Sequence, residues 1–208
     1  MIAIVDYDAG NIRSVLNALG RVGAEDFALT ADRDKLRAAS HVILPGVGEA
    51  STAMQALRDA GLAEFIPTLT QPVLGICVGA QLMCQRSEEG DARCMGIFPA
   101  QVRRFVETPS EKVPHMGWNS LLDLSHPLSS RAQSRDLSSQ LFTGLPEGSY
   151  VYFVHSYYPE VCADTIAISR HGVDFSAALA RDNFFACQFH PEKSGAVGET
   201  ILKNFLNL

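Results

Sequence analysis

Short apolar runs alternate with helical patterns along the first half of the chain. Residues 2–5, 41–44 and 73–76 are apolar and contain β-branched side chains, which predicts strands. Residues 11–20 and 51–60 carry apolar side chains at three- and four-residue spacing, which predicts helices. Strands that alternate with helices form parallel sheets covered by helices on both faces. We therefore predict an α/β fold with a mostly parallel central sheet and helices on both faces.

The second half of the chain is richer in strand patterns, which we expect to add antiparallel strands to the fold. No linker divides the chain, and 208 residues suit one domain that spans residues 1–208. In the first helix, Asn11 is expected to cap the start and Gly20 to end it. The polar segment 125–140 is expected to be an exposed loop. The predicted strands are 100–105, 150–154, 165–169, 177–180 and 184–189, and the predicted last helix is 195–208.

Composition and charge argue for a globular protein without a nucleic-acid or membrane role. Hydrophobic residues make up 47% of the chain and charged residues 19%, and the formal net charge is −6. No apolar run reaches the roughly 18 residues of a membrane helix, and the first residues lack the charged and apolar regions of a secretion signal. The five cysteines include no Cys-x-x-Cys pair, which favours reduced thiols in the cytoplasm over disulfides or a zinc site. We expect no metal and no cofactor.

A cysteine directly follows the third predicted strand. Segment 73–81 places Cys77 two residues after Gly75 and two residues before Gly79, where a strand meets a helix. This spacing is typical of a nucleophile elbow, a strained turn that exposes the nucleophile and leaves no room for flanking side chains. The helix N-terminus would stabilise both a thiolate and a neighbouring oxyanion. A buried structural cysteine is the alternative, but ligands of open α/β sheets bind at this end of a strand.

A histidine and a glutamate follow the last predicted strand. His190 and Glu192 come after the apolar run 184–189, at the same edge of the predicted sheet as Cys77. Residues two apart in an extended chain point the same way, so the carboxylate is expected to orient the imidazole. The three side chains would then form a catalytic triad with the cysteine as nucleophile. The alternative is a surface turn, in which proline and glutamate are common.

These segments resemble a known family. Segments 75–81 and 190–192 together are similar to the signature of class I glutamine amidotransferases. Segment 45–48, which reads Pro-Gly-Val-Gly, is similar to the oxyanion loop of that family. The resemblance runs from the first strand to the last helix. It implies that the chain hydrolyses glutamine to glutamate and ammonia with the predicted triad.

The resemblance also assigns further site residues. Backbone amides of Gly46, Val47 and Val78 would hold the oxyanion. Gln81 and Glu89 would hold the ends of the substrate, with an ordinary helix residue and a solvated charge as the alternatives. The glycines on either side of Val47 permit the preceding peptide to rotate, which would switch hydrolysis on. The complete predicted glutamine-binding set is Gly48, Gln81 and Glu89, with the backbone of His155, Ser156 and Tyr157.

A second subunit is expected. The sequence has no phosphate-binding glycine-rich signature and no metal-ligand cluster that would mark a site for an ammonia acceptor. Segments 114–119, 152–157 and 190–194, with the opening segment 6–11, are similar to glutaminase subunits of imidazole glycerol phosphate synthases. That resemblance implies a heterodimer with a cyclase subunit of (β/α)₈ barrel fold, which uses the ammonia in histidine biosynthesis. The predicted interface residues are Asn11, Met116, Trp118, Asn119 and Lys193.

Several alternatives stay open. Trp118 is expected to be exposed in a Gly-Trp-Asn turn, although it could be a core aromatic, and Lys193 could be a plain surface charge. Segment 125–140 is longer and more polar than the corresponding connection in the family, so we expect a surface insertion there. The chain could instead be the glutaminase subunit of another biosynthetic synthase, a free-standing cysteine hydrolase, or a scaffold that has lost its chemistry.

Overall fold

The computed structural model describes residues 1–7, 12–122, 124 and 140–208. None of the helices in these ranges is long and apolar enough to cross a membrane. The helices are α1 (Ile12–Arg21), α2 (Arg33–Ala38), α3 (Ala50–Asp59), α4 (Val78–Leu82) and α5 (Gly195–Leu206), with short 3₁₀ turns at Ile66–Thr68, Glu89–Asp91 and Pro191–Lys193. The strands are β1 (Ile2–Val5), β2 (Phe27–Thr30), β3 (His41–Leu44), β4 (Val73–Ile76), β5 (Arg86–Ser87), β6 (Ala92–Arg93), β7 (Gln101–Arg104), β8 (His115–Ser120), β9 (Tyr150–His155), β10 (Tyr157–Pro159), β11 (Thr165–His171), β12 (Val173–Arg181) and β13 (Phe184–Cys187).

Seven strands form the central sheet, in the order β11-β12-β13-β4-β3-β1-β2. The five strands from β13 to β2 run parallel, and β11 and β12 add two antiparallel pairings at the other end. Every residue of β1, β4 and β13 is buried, as expected for strands covered on both faces. The predicted fold class, including the antiparallel strands of the second half, is therefore confirmed.

Two smaller sheets pack beside the central one. A four-stranded sheet has the order β10-β7-β5-β6, and β8 pairs with β9 in an antiparallel ribbon. An isolated bridge between Leu122 and Ile168 connects the chain after β8 to the edge strand β11. Buried side chains from β1 through α5 form one contiguous apolar cluster. The ribbon also reaches the predicted site, since Val154 and His155 of β9 line the same cavity as Cys77.

Some elements differ from the sequence prediction. Gly20 lies inside α1, which continues to Arg21, and the predicted cap Asn11 lies outside the described residues. The sequence analysis missed β2 and α2 because neither has a strong apolar pattern: only Thr30 is buried in β2, and only Leu36 in α2. The carboxylate of Asp32 starts α2, since it accepts hydrogen bonds from two backbone amides of the first turn. Most of segment 125–140 also lies outside the described residues.

Two glycines let the loop after β3 touch the start of α4. A Cβ atom on Gly79 would lie 2.1 Å from the Leu44 carbonyl oxygen, and one on Gly46 would lie 2.0 Å from the Gly79 nitrogen. Both neighbours are backbone atoms, so no side-chain movement could make room. The glycine spacing around Cys77 thus has the steric cause that the sequence suggested, and it brings loop 45–48 against the cysteine turn.

Candidate active site

The predicted site residues follow the carboxyl ends of three adjacent parallel strands, at one edge of the sheet. Strands β3, β4 and β13 are neighbours, and loop 45–48, Cys77 and segment 188–192 follow their carboxyl ends. Ligands of open α/β sheets bind at such an edge. A cavity of about 320 Å³ opens there. Of the predicted site residues, it is lined by Val47, Gly48, Cys77, Val78, Gln81, Glu89, His155, Ser156, Tyr157, His190 and Lys193.

Cys77 occupies a strained turn at the start of α4. Its φ is 53° and its ψ is −110°, a left-handed conformation that residues other than glycine rarely adopt. The expectation of an exposed cysteine was wrong, because only 4% of the residue is accessible. The cavity walls shield it from bulk water, although it still lines the cavity. A thiolate there would face the free amides of the helix start.

His190 and Glu192 form a buried pair. The imidazole Nδ1 lies 2.8 Å from a carboxylate oxygen of Glu192, and the two residues are 3% and 9% exposed. The pairing was predicted, but its geometric reason was wrong. The chain here is not extended, since Pro191–Lys193 forms a 3₁₀ turn that folds the carboxylate back onto the ring. The surface-turn alternative does not describe a pair this deeply buried.

The electrostatics of the cavity favour a protonated His190. Burial alone would lower the pKa of the imidazole, but hydrogen bonding and charge from Cys77 and Glu192 outweigh burial and raise the pKa to about 9. Within the described part of the chain, His190 Nε2 has no partner with regular hydrogen-bond geometry. In this structure the imidazole and Cys77 both line the cavity without a regular hydrogen bond between them, as is common in free enzymes. An imidazolium beside Cys77 stabilises its thiolate.

Gln81 connects the cavity wall to the cysteine. Its Nε2 donates hydrogen bonds to the Tyr157 carbonyl and to Gln188 Oε1, each at 2.9 Å. The Gln188 Nε2 lies 3.8 Å from the Cys77 sulfur. The other amide atom, Gln81 Oε1, is buried without a hydrogen-bond partner among the described residues. Gln81 lines the cavity, and this oxygen has almost no accessible surface. Gln81 is accordingly no ordinary surface-helix residue.

Glu89 also lies at the cavity, half-buried rather than solvated. Its carboxylate accepts a hydrogen bond of 2.8 Å from the Ala50 amide and so closes the start of α3. Burial raises the pKa of Glu89, and the Ala50 hydrogen bond opposes that rise. The side chain therefore has a structural partner as well as a place at the cavity. Among the described residues, no group of three or more His, Cys, Asp or Glu side chains is placed to hold a metal ion.

The predicted interface residues lie on two elements. Met116 and Trp118 are 63% and 56% exposed and project from the same face of β8. Trp118 is therefore not a core aromatic, but the predicted turn is wrong because the residue lies within a strand. Asn119 is half-buried and donates to the Arg170 carbonyl at 2.8 Å. Lys193 lines the cavity, with Nζ 5.9 Å from the centre of the Tyr152 ring. Asn11 lies outside the described residues.

Sequence reasoning missed two residues that contact the site loops. Gln188 was read only as part of an apolar strand, although a glutamine inside such a run is a signal for a buried polar contact. Tyr7 is buried, and its hydroxyl donates a hydrogen bond of 2.6 Å to the Pro45 carbonyl. That carbonyl belongs to the peptide immediately before Gly46. Tyr7 thus anchors the upstream end of the loop that was predicted to supply an oxyanion amide.

This chain belongs to the class I glutamine amidotransferase family, whose model matches residues 3–208, and it is a glutamine amidotransferase. Among its relatives, imidazole glycerol phosphate synthase subunit HisH of Bacteroides thetaiotaomicron is 51% identical over 208 residues, covering 100% of this chain and 99% of the relative. Subunit HisH of Shewanella loihica is 43% identical over 215 residues, covering 99% of this chain and 89% of the relative.

Solved structures show the same fold at low sequence identity. A crystal structure of a glutamine amidotransferase has a TM-score of 0.68 at 18% identity and covers 100% of this chain and 98% of its own. The structure of PurLQS from Thermotoga maritima has a TM-score of 0.64 at 17% identity, and it covers 99% of this chain and 97% of its own. At these identities the likeness concerns the fold alone.

Proposed function

We propose that this chain is the glutaminase subunit of an imidazole glycerol phosphate synthase. It hydrolyses glutamine to glutamate and ammonia, and it passes the ammonia to a cyclase subunit in histidine biosynthesis. Residues 1–208 act as one glutaminase domain. The observation that carries the proposal is the meeting of Cys77 with the buried His190–Glu192 pair in one cavity. Similarity to HisH subunits over the whole chain supports this pathway over other synthases.

The reaction proceeds in two displacements at the cysteine. The Cys77 thiolate adds to the carboxamide carbon of glutamine, and the tetrahedral intermediate collapses to a γ-glutamyl thioester. The His190 imidazolium gives its proton to the departing ammonia. The neutral imidazole then takes a proton from water as the water attacks the thioester, which releases glutamate and restores the thiolate and imidazolium. Glu192 holds the imidazole ring in one orientation throughout.

Two backbone amides stabilise the oxyanion of each tetrahedral intermediate. One belongs to Val78 at the start of α4, and the other comes from the Gly46–Val47 region. Gly48 has a φ of 92°, a conformation that permits the loop to turn sharply beside Val47. Rotation of the peptide before Val47 would then switch the second amide into use. Tyr7 holds the preceding carbonyl at 2.6 Å, which supports rotation about a fixed upstream anchor.

Glutamine binds with its carboxamide at the cysteine and its other end along the opposite wall. The buried, unpartnered Gln81 Oε1 accepts a hydrogen bond from the substrate ammonium group. Glu89 adds a carboxylate at the same cavity, and the backbone of residues 155–157 contributes polar groups along the wall. A buried acceptor left unpaired costs stability, so a ligand donor that pairs it binds favourably.

The cyclase subunit, a (β/α)₈ barrel, docks against the exposed face of β8 and the mouth of the cavity. Large exposed apolar side chains are enriched at interface hot spots, and Met116 and Trp118 supply two of them side by side. Lys193 stands at the cavity mouth, where a partner contact would reach it. The cyclase consumes the ammonia and forms imidazole glycerol phosphate and aminoimidazole carboxamide ribonucleotide. A thiolate enzyme of this kind works in a reducing compartment, so we place it in the cytoplasm.

Glutamate release from glutamine tests the proposed function. The chain should be assayed alone, with the cyclase subunit, and with the cyclase subunit plus its nucleotide substrate. We expect strong activity only when both partner and nucleotide are present. Equal activity without any partner would instead favour a free-standing cysteine hydrolase. Activation only by the acceptor subunit of a different synthase would overturn the assigned pathway.

Trp118 is expected to contribute strongly to cyclase binding. Substitution Trp118→Ala should weaken the complex about 30-fold, because a hot-spot aromatic contributes about 2 kcal/mol or more. Titration calorimetry with the cyclase subunit measures the dissociation constant. Leu29→Ala is the matched control, since Leu29 is an exposed apolar residue on the edge strand β2. Equal dissociation constants for the two variants would show that the exposed face of β8 is not the docking surface.

A further inference from the structure

We propose that His115 and His155 form a directional hydrogen-bond relay that positions the glutamine-binding wall and connects it to strand β8. The proposal rests on the proposed function, because it assigns these side chains a positioning role in glutamine binding. Neither side chain was predicted to act in the site, since His155 was expected to contribute only its backbone. The relay begins on β8 and ends at the Tyr157 carbonyl, and Tyr157 lines the same cavity as Cys77.

The two imidazoles lie opposite each other in the β8–β9 ribbon, where His115 pairs with His155. His115 Nδ1 is 2.9 Å from His155 Nε2. At the cavity end, His155 Nδ1 is 2.8 Å from the Tyr157 carbonyl oxygen. At the other end, His115 Nε2 is 3.2 Å from the Asn119 amide nitrogen. All four imidazole nitrogens therefore have a hydrogen-bond partner.

Both ends of the relay dictate the same arrangement of protons. A carbonyl oxygen can only accept, so His155 Nδ1 must donate to Tyr157, and in a neutral ring His155 Nε2 must then accept from His115. From the other end, the Asn119 nitrogen also donates to the Arg170 carbonyl at 2.8 Å, which fixes its amide orientation. His115 Nε2 must therefore accept from Asn119, and His115 Nδ1 must donate. An additional proton on either ring would bring two N–H groups face to face.

The surroundings keep both rings neutral. Each histidine is only 6% exposed, and the rings of Phe105, Phe153 and Phe175 pack around the pair. Burial lowers the pKa of His155 to about 3 and that of His115 to about 4. Positive charge on neighbouring imidazoles lowers both pKa values further.

Two titratable groups face the pair from neighbouring elements. His171 stacks on His115 with ring centres 4.3 Å apart, and its own imidazole contacts the Glu111 carboxylate at 2.9 Å. On the cavity side, His190 further lowers the pKa of His155. Positive charge on a neighbouring imidazole would repel a further proton on His115 or His155. Each of the two rings therefore keeps a single proton at neutral pH.

At the cavity, the relay acts on the Tyr157 carbonyl, which also accepts the hydrogen bond from Gln81. Two donors on one carbonyl fix the direction in which it points. The Gln81 amide, which belongs to a residue that lines the cavity, is thereby held in one orientation. Loss of the donor from His155 would leave the carbonyl with a single partner and loosen the substrate-binding wall.

At the other end, the relay begins on the inner face of β8. His115 and Asn119 point inward from this strand, while Met116 and Trp118 are exposed on its outer face. A shift of the strand on docking would therefore move both faces together. The relay gives that movement a path of direct hydrogen bonds to the glutamine-binding wall.

Tautomer measurement tests the relay independently of activity. The full chain is labelled with ¹⁵N-histidine, and one-bond and two-bond ¹H–¹⁵N correlations are recorded from pH 5.5 to 8. His115→Asn and His155→Asn spectra assign the two signals. We expect both rings to stay neutral with the proton on Nδ1. A proton on Nε2 of either ring, or a ring that titrates in this range, would overturn the proposal.

A matched pair of variants tests the positioning role. His115→Asn keeps an N–H donor near the position of Nδ1, whereas His115→Leu has a similar branched shape without a donor. In the complex with the cyclase and its nucleotide, we expect His115→Leu to raise KM for glutamine about fivefold or more, with kcat changed less than about twofold. His115→Asn should keep KM near the wild-type value. Equal KM values for His115→Asn and His115→Leu would overturn the positioning role. An inactive wild-type complex would refute the proposed function instead, and the tautomers would still decide the relay.

Discussion

Replacing Cys77 with alanine is expected to lower glutamine hydrolysis by the complex about 10⁴-fold or more. The variant lacks the sulfur that forms the thioester, and the backbone amides and cavity wall alone cannot substitute for it. Glutamate release is the measurement. The cyclase reaction supplied with ammonium salt instead of glutamine should keep its rate, because ammonia then bypasses the cysteine. That second assay also shows whether the variant still assembles with its partner.

Cys162→Ala is the matched control for the loss of a thiol. Cys162 is a free, partly buried cysteine that does not line the cavity. Glutamine hydrolysis by the Cys162→Ala complex should stay within about twofold of the wild-type rate, as expected for a substitution away from the site. A Cys77→Ala complex that retained a tenth or more of the wild-type rate would exclude a thioester mechanism at this residue.

Replacing Glu192 with glutamine is expected to lower kcat/KM about 10²- to 10⁴-fold and to move its pH dependence. In the wild type, His190 has a pKa of about 9, so the imidazolium persists up to that pH and kcat/KM should fall only above it. Cys77 and Glu192 together raise the pKa, and the neutral amide removes the charge and the carboxylate acceptor that Glu192 contributes. The variant should therefore lose its imidazolium at lower pH, and the alkaline limb of its profile should move toward acid.

Glu160→Gln tests whether any loss of a carboxylate has this effect. Glu160 pairs with Arg103 at 2.8 Å and does not line the cavity. Its pH profile should match that of the wild type. If Glu192→Gln kept an alkaline limb near pH 9, the carboxylate would not be what holds the proton on His190.

The elements that sequence patterns predicted well are those with strong local causes. The apolar residues of β1 and β4, and those of β3 after His41, are buried, so composition alone identifies these segments as strands of a covered parallel sheet. By contrast, β2 and α2 each bury a single residue, and such weak patterns are not visible in a sequence. The β8 strand was read as a turn because its glycine and asparagine favour turns, yet pairing with β9 outweighs that local preference.

The sequence by itself indicated the cysteine turn through its two flanking glycines. At Gly75 the exclusion is local, because a Cβ there would lie 2.9 Å from the Ala80 nitrogen, whereas at Gly79 it comes from Leu44 on the neighbouring strand β3. It also indicated the partnership of His190 with Glu192, although the 3₁₀ turn that brings the two side chains together was not predicted. Only the tertiary structure decided what surrounds them. The Gln188 contact with Cys77 spans 111 positions, and the His115–His155 pair spans 40. Such contacts depend on strand order and register, which arise when the whole sheet assembles, and no local pattern encodes them.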